Sequence, residues 1–309
     1  SSYTKYLSKE AVYCNDREVG EGTYTATSSI FYYASYSRLA PSTMTPSYNC
    51  TSSKDAFSGS NSEAKLKYPI ALMTADEITY AGGKSGTSLV SPYTWYYLNS
   101  VNDSITGDVY WWLLSPNRWN GEFSTVWYMH ALGEPGYLDD NVVYSSRSVR
   151  PVISLKGNLI YKSGDGSSSS PYEVEDLPQT TLYDEILEDN ATISERTDFS
   201  TIYTETNNGT LFKSTESIAG STPEIVYYFA GDAKNNWVKF AGFYWRIIRT
   251  NHDSSIRLLY SGTSPDTTSG YIGTSAFNSS ADNSMYAGYM YGTSGTLASN
   301  RTNTNNSTI

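Results

Sequence analysis

From Tyr110 to His130 the chain reads YWWLLSPNRWNGEFSTVWYMH, with four of its seven tryptophans beside two tyrosines, a phenylalanine and a methionine. Aromatic surface this dense has to be buried or has to bind something. The runs DVYWWLLSP and FSTVWYMHALG flank NRWNGE and read as two strands joined by a turn. Successive side chains of a strand point to opposite faces. Trp111 and Trp112 are therefore expected on different faces of a sheet, at least one of them buried. Trp119 falls in the expected turn, where a large exposed ring is costly unless a loop or another molecule covers it.

The rest of the chain has the same character. Charged residues are 17% and hydrophobic residues 39%, while tyrosine alone appears 29 times. Tyr, Thr and Ser in alternation suit a pleated surface. YPIALM reads as a short strand. Thr74 then acts as a helix N-cap, with Glu77 completing a capping box, and Gly82–Gly83 stop the helix. FYYASYSRL is a helix or a strand. NVVYSSRSVRPVISL is a strand pair or one bent strand. LIYKSGDGSSSSPYEV is two short strands around a Gly/Ser turn. TTLYDEILEDNATI reads as a short amphipathic helix. TLFKSTES and EIVYYFAG are strands, and NWVKFAGFYWRIIRT and SIRLLYSG form a hairpin around NHDS.

Charge and composition exclude several roles. The net charge of −10 and the lack of a basic run argue against nucleic acid, whose phosphates need clustered Lys and Arg. No run of about 18 apolar residues is present, so no membrane-spanning helix is expected. The polar start SSYTKYLSKE does not read as a signal peptide. Hydroxyl-rich surfaces of this kind are common outside cells. In that setting Cys14 and Cys50 are expected to be bonded rather than free thiols. The bridge would close a loop of about 35 residues, a stabilisation of roughly 3–4 kcal/mol on the chain-entropy view.

YPIALMTADEITYAGG, YWWLLSP, SVRPVISL and YKSGDGSSSSPYEV, in that order, resemble a repeat domain of surface and pilin-like proteins of Gram-positive gut bacteria. The same order of acidic helix, Trp–Ser–Pro strand and Val-Arg-Pro strand occurs in C-type-lectin-like domains of the formylglycine-generating-enzyme type. YYFAGDAKNNWVKFAGFYWRIIRT also resembles the surface family, where it precedes the other motifs; here it follows them. The resemblance implies an α+β, β-rich fold: a C-type-lectin-like core with long loops and few short helices. Residues 1–178 would be the lectin-like portion and 179–309 a strand-rich portion that in the family comes first. The two would form one structural unit, either within the chain or across neighbouring copies of a tandem array. The resemblance also makes Arg150, before Pro151, a structural anchor. A buried guanidinium needs a partner, and Asp76 or Glu77 is the expected one.

The chemistry-bearing residues read mostly as structure. The oxidase relatives of this fold need reactive cysteines, and Cys14 and Cys50 lie outside the core motifs. His130 ends an apolar strand and His252 sits in a hairpin turn, neither beside a nucleophile. Asp76 and Glu77 suit a helix start. Arg246 and Arg249 alternate with isoleucines and read as solvent-facing. The segments around Asp165 and at Asp139–Asp140–Asn141 read as turns rather than calcium loops. No metal, cofactor or enzymatic activity is expected. The leading expectation is an extracellular structural or display domain at a bacterial cell surface or in a filament, with copies of itself as partners. The second is an adhesin for a glycan or a host-surface ligand, using Trp95, Tyr96, Trp119 and Trp127.

Overall fold

The computed structural model describes residues 2–24, 29–86, 110–130, 137–175, 180–265 and 270–287. Among these residues the fold is β-rich with few, short helices, and two large curled sheets carry it. The first is eight-stranded and runs Val19–Glu21, Phe31–Tyr33, Trp111–Trp119, Ser124–Met129, Tyr137–Val142, Lys84–Ser85. Ser146–Val149 joins it beside Trp111 and carries Gly273–Ala276 on its other side.

The tryptophan hairpin is the centre of this sheet, and its central strand is buried on both faces. Trp111 and Trp112 are both buried, one to each side. Trp112 donates its indole N–H to the Ser275 carbonyl at 2.9 Å and packs edge-on against Phe277. The turn starts three residues later than expected, at Asn120 rather than Asn117. Trp119 is the last strand residue, paired with Phe31 and Ser124, and is only 1% exposed. Asn120 makes the turn instead, its Oδ1 accepting from the N–H groups of Glu122 and Phe123. Asn-Gly is a better turn start than Asn-Arg, and moving the turn keeps the alternation that points Trp119 inward.

The second sheet is ten-stranded. Phe243–Thr250 is central, with Trp237–Phe240 on one side and Ile256–Tyr260 on the other. The NHDS segment closes the latter hairpin, Asn251 N–H donating to Ser255 O at 2.8 Å. Beyond Trp237–Phe240 lie Tyr172–Glu175 and Ile160–Ser163. Beyond Ile256–Tyr260 lie Val152–Leu155 and Ile70–Ala71. Glu224–Tyr228, Thr210–Glu216 and Thr192–Glu195 complete it.

The Asn141–Leu155 run therefore serves both sheets. Ser146–Val149 belongs to the first and Val152–Leu155 to the second, and only Arg150–Pro151 separates them. Pro151 has no N–H to give to a ladder, so it suits the point where the chain changes sheets. The same run pairs with Gly273–Ala276 in one sheet and Ile256–Tyr260 in the other. Strands from before and after residue 178 are thus neighbours in both.

The helices follow local rules. FYYASYSRL is both expected things in turn: strand Phe31–Tyr33, then helix Ala34–Leu39. Ala75–Tyr80 begins with the full Thr74–Glu77 capping box. Gly82 ends it at φ +121°, and any Cβ there would lie 2.3 Å from the Tyr203 carbonyl oxygen. Leu182–Asp189 is capped by Thr181 and buries Leu182 and Ile186. Cys14 and Cys50 are bonded.

Candidate functional site

The densest chemistry lies where the Ala75–Tyr80 helix meets the Phe243–Tyr260 hairpin. Glu77 is fixed by its role in the capping box: Oε2 accepts from the Thr74 N–H at 2.9 Å. That leaves Oε1 facing inward, where it receives Arg249 Nε at 3.0 Å and Arg257 Nη1. Arg249 reaches on with Nη2 to Glu216 Oε1 at 2.7 Å. The other Glu216 oxygen accepts the His252 N–H at 2.6 Å and faces the His252 ring Nδ1 at 3.1 Å. Rings close the cluster: Arg249 lies 4.3 Å from the Tyr48 centroid and Arg257 4.6 Å from that of Tyr13, both within cation–π range. Beside it Arg38 forks onto Asp76 at 3.0 and 3.1 Å and also holds Asp16 at 2.7 Å.

Electrostatics locks the cluster in its ionised form. Burial alone would raise the Glu77 carboxyl, but the charges of Arg257 and Arg249 and the Thr74 N–H outweigh it and lower it. Glu216 is likewise penalised by burial, and the Arg249 charge with hydrogen bonds from His252 and Arg249 carries it well below the carboxylate range. His252 is raised, first by its hydrogen bond to Glu216, with burial opposing. A cavity of about 20 Å³ is lined by Arg38, Tyr48, Asp76, Glu77, Arg249 and Arg257. It has room for about one water and none for a substrate. Carboxylates held ionised by arginines have no proton to give near neutral pH.

These arginines correct two expectations. Arg246 and Arg249 do not face solvent, because their strand is covered on both faces and both are buried. Arg246 binds Asn236 Oδ1 at 2.7 Å and lies 4.1 Å from the Trp237 centroid. Arg150 is buried, but its partner is neither Asp76 nor Glu77. It donates to the Tyr260 carbonyl at 3.1 Å and lies over the Trp111 ring at 4.8 Å, while Arg38, Arg249 and Arg257 hold the two acids. The sequence signal for this was three arginines inside two apolar runs, FYWRIIRT and SIRLLYSG, where solvent-facing residues do not belong.

Of the four expected ligand-binding aromatics, two are described. Trp95 and Tyr96 lie outside the described residues. Trp119 and Trp127 are core, the latter donating its indole N–H to Ser35 Oγ at 3.1 Å. Burial overturns both as exposed stacking surfaces. Asp139–Asp140–Asn141 is not a turn but part of strand Tyr137–Val142, whereas Asp165 sits in the expected Gly/Ser turn. Among the described residues no group of three or more His, Cys, Asp or Glu is placed to hold a metal. Nor is any helix long and apolar enough to cross a membrane.

A different aromatic row lies over Trp127. Tyr32 and Tyr36 are stacked with centroids 4.2 Å apart, and Tyr36 lies near-parallel to Trp127 at 6.3 Å. Arg118 Nε lies 3.3 Å from Asp140 Oδ2 on the same face. No family model, no curated protein and no solved structure matches this chain.

Proposed function

We propose that this chain is a non-enzymatic extracellular domain: a rigid structural or display unit of a bacterial surface or filament protein, one copy of a tandem or polymeric array on a C-type-lectin-like core. The observation that carries the reading is the Glu77–Arg249–Glu216–Arg257 cluster. It takes the most concentrated titratable groups of the fold, fixes their charges and ties helix Ala75–Tyr80 to the Phe243–Tyr260 hairpin. Such a cluster specifies one arrangement of the chain rather than a reaction. The Cys14–Cys50 bond fits an oxidising compartment. In an array each copy would contribute its own pair of interlocked sections, and the partners would be further copies.

The test is localisation and assembly in the native host. Antibody to the folded chain should label intact cells, and surface extracts should contain species larger than one copy. Signal confined to the lysed cytosolic fraction, with a single monomeric species, would overturn the reading.

A further inference from the structure

We propose that the helix-bearing face of the first sheet, at its part-exposed end around Glu21, Tyr32 and Arg118, binds a neutral sugar ring on Tyr32, without calcium. This goes beyond the display role and does not depend on assembly.

The face is set by register. Tyr32 sits opposite Arg118, and Arg118 opposite Thr125. Trp127 lies two residues beyond Thr125 and is paired with Asp140. On the edge strand Glu21 stands opposite Tyr32. Directly paired residues share a face, as do residues two apart. Five strands thus project Glu21, Tyr32, Arg118, Thr125, Trp127 and Asp140 to one side, and helix Ala34–Leu39 adds Tyr36.

The chemistry of the row is graded. At its centre Trp127 is buried and fixed by Ser35, so it supports Tyr36 from beneath. Tyr36 in turn stacks on Tyr32, which ends the ladder and is half-buried. Beside the ladder lies the Arg118–Asp140 pair, its side chains 35% and 17% exposed. A pre-stacked ring loses little freedom when a ligand settles on it. The apolar C–H face of a pyranose matches an aromatic face, and its hydroxyls match a fixed donor beside a fixed acceptor. Glu21 and Asp140 flank the row and the chain carries a net charge of −10, so uronic acids and sialic acids are disfavoured. The ligand class is therefore neutral hexopyranose, free or at the end of a glycan.

The test uses the full chain with neutral oligosaccharides of glucose, galactose, mannose and N-acetylglucosamine, and oligogalacturonate as the anionic control, followed by calorimetry and amide NMR. At least one neutral sugar should bind, with shifts centred on residues 31–36 and 118–127, and should bind equally in EDTA. Tyr32→Ala and Arg118→Gln should each weaken binding by about tenfold or more. Tyr32→Phe, which keeps the ring, should retain it, and unchanged melting of all three variants separates lost binding from lost fold. Absence of binding by every neutral sugar up to about 10 mM, binding only by the anionic control, dependence on calcium, or binding that survives both disruptive substitutions would each overturn the proposal.

Discussion

Glu216 and His252 touch each other yet respond to pH in opposite senses. The lowered carboxyls of Glu77 and Glu216 contribute stability in full above the ordinary glutamate value of 4.5, and that contribution is lost as pH falls toward their depressed values. His252 is raised above 6.5, so its contribution is complete below that value and is lost as pH rises through the raised one. The melting temperature is therefore expected to peak between about pH 4.5 and 6.5. His252→Gln should flatten the decline on the alkaline side and, because the His252 ring helps hold Glu216 down, also soften the acid limb; calorimetry from pH 3 to 9 decides, and an unchanged alkaline limb counts against the assignment. Some of this scale was legible in the sequence. Thr74 with Glu77 announced a capping box, and the two cysteines announced their bond. The partners of Glu77 were not legible, because they come from positions 172 and 180 residues away. Periodicity shows which face a residue occupies but not whether a second layer covers that face, and so Arg249 was misassigned.

Among the elements, the short helix Ala75–Tyr80 matters beyond its length because its cap aims Glu77. Thr74→Ala removes a side chain that accepts from the Glu77 N–H at 3.1 Å, at an expected cost of about 1–2 kcal/mol. The loss should couple to the ion cluster. In a double-mutant cycle with Glu77→Gln, measured by urea unfolding, the two costs should fall short of additive; simple additivity would mean that the cap and the cluster act separately. Most strands were readable as alternating runs between Gly, Ser and Asn turns. The error at Trp119 was one of boundary, since NRWNGE contains two possible turn starts and only pairing with Phe31 selects the second. The two-residue passage at Arg150–Pro151 was foreseen as a bend. Its role of moving the chain from one sheet to the other depends on strands about 110 residues later, and nothing local encodes that.

For the molecule as a whole, the sections before and after residue 178 are woven together rather than joined side by side. Cys50 belongs to the first section, yet its backbone bonds Ser217 and Ala219 of the second. Replacing both cysteines by serine should cost about 3–4 kcal/mol and still leave one cooperative melting transition. Two separated transitions would show that the sections are independent. The interlocking also fixes an order of events. Val152–Leu155 and Ser146–Val149 are completed by Ile256–Tyr260 and Gly273–Ala276. A chain delivered amino end first therefore holds open strand edges until the last of these follow. At ribosomal speed that interval is roughly 6–25 s, long enough for the edges to find wrong partners. The same weave that secures the finished domain makes its youth the vulnerable period, so that a companion protein or swift export, rather than greater native stability, would set its yield.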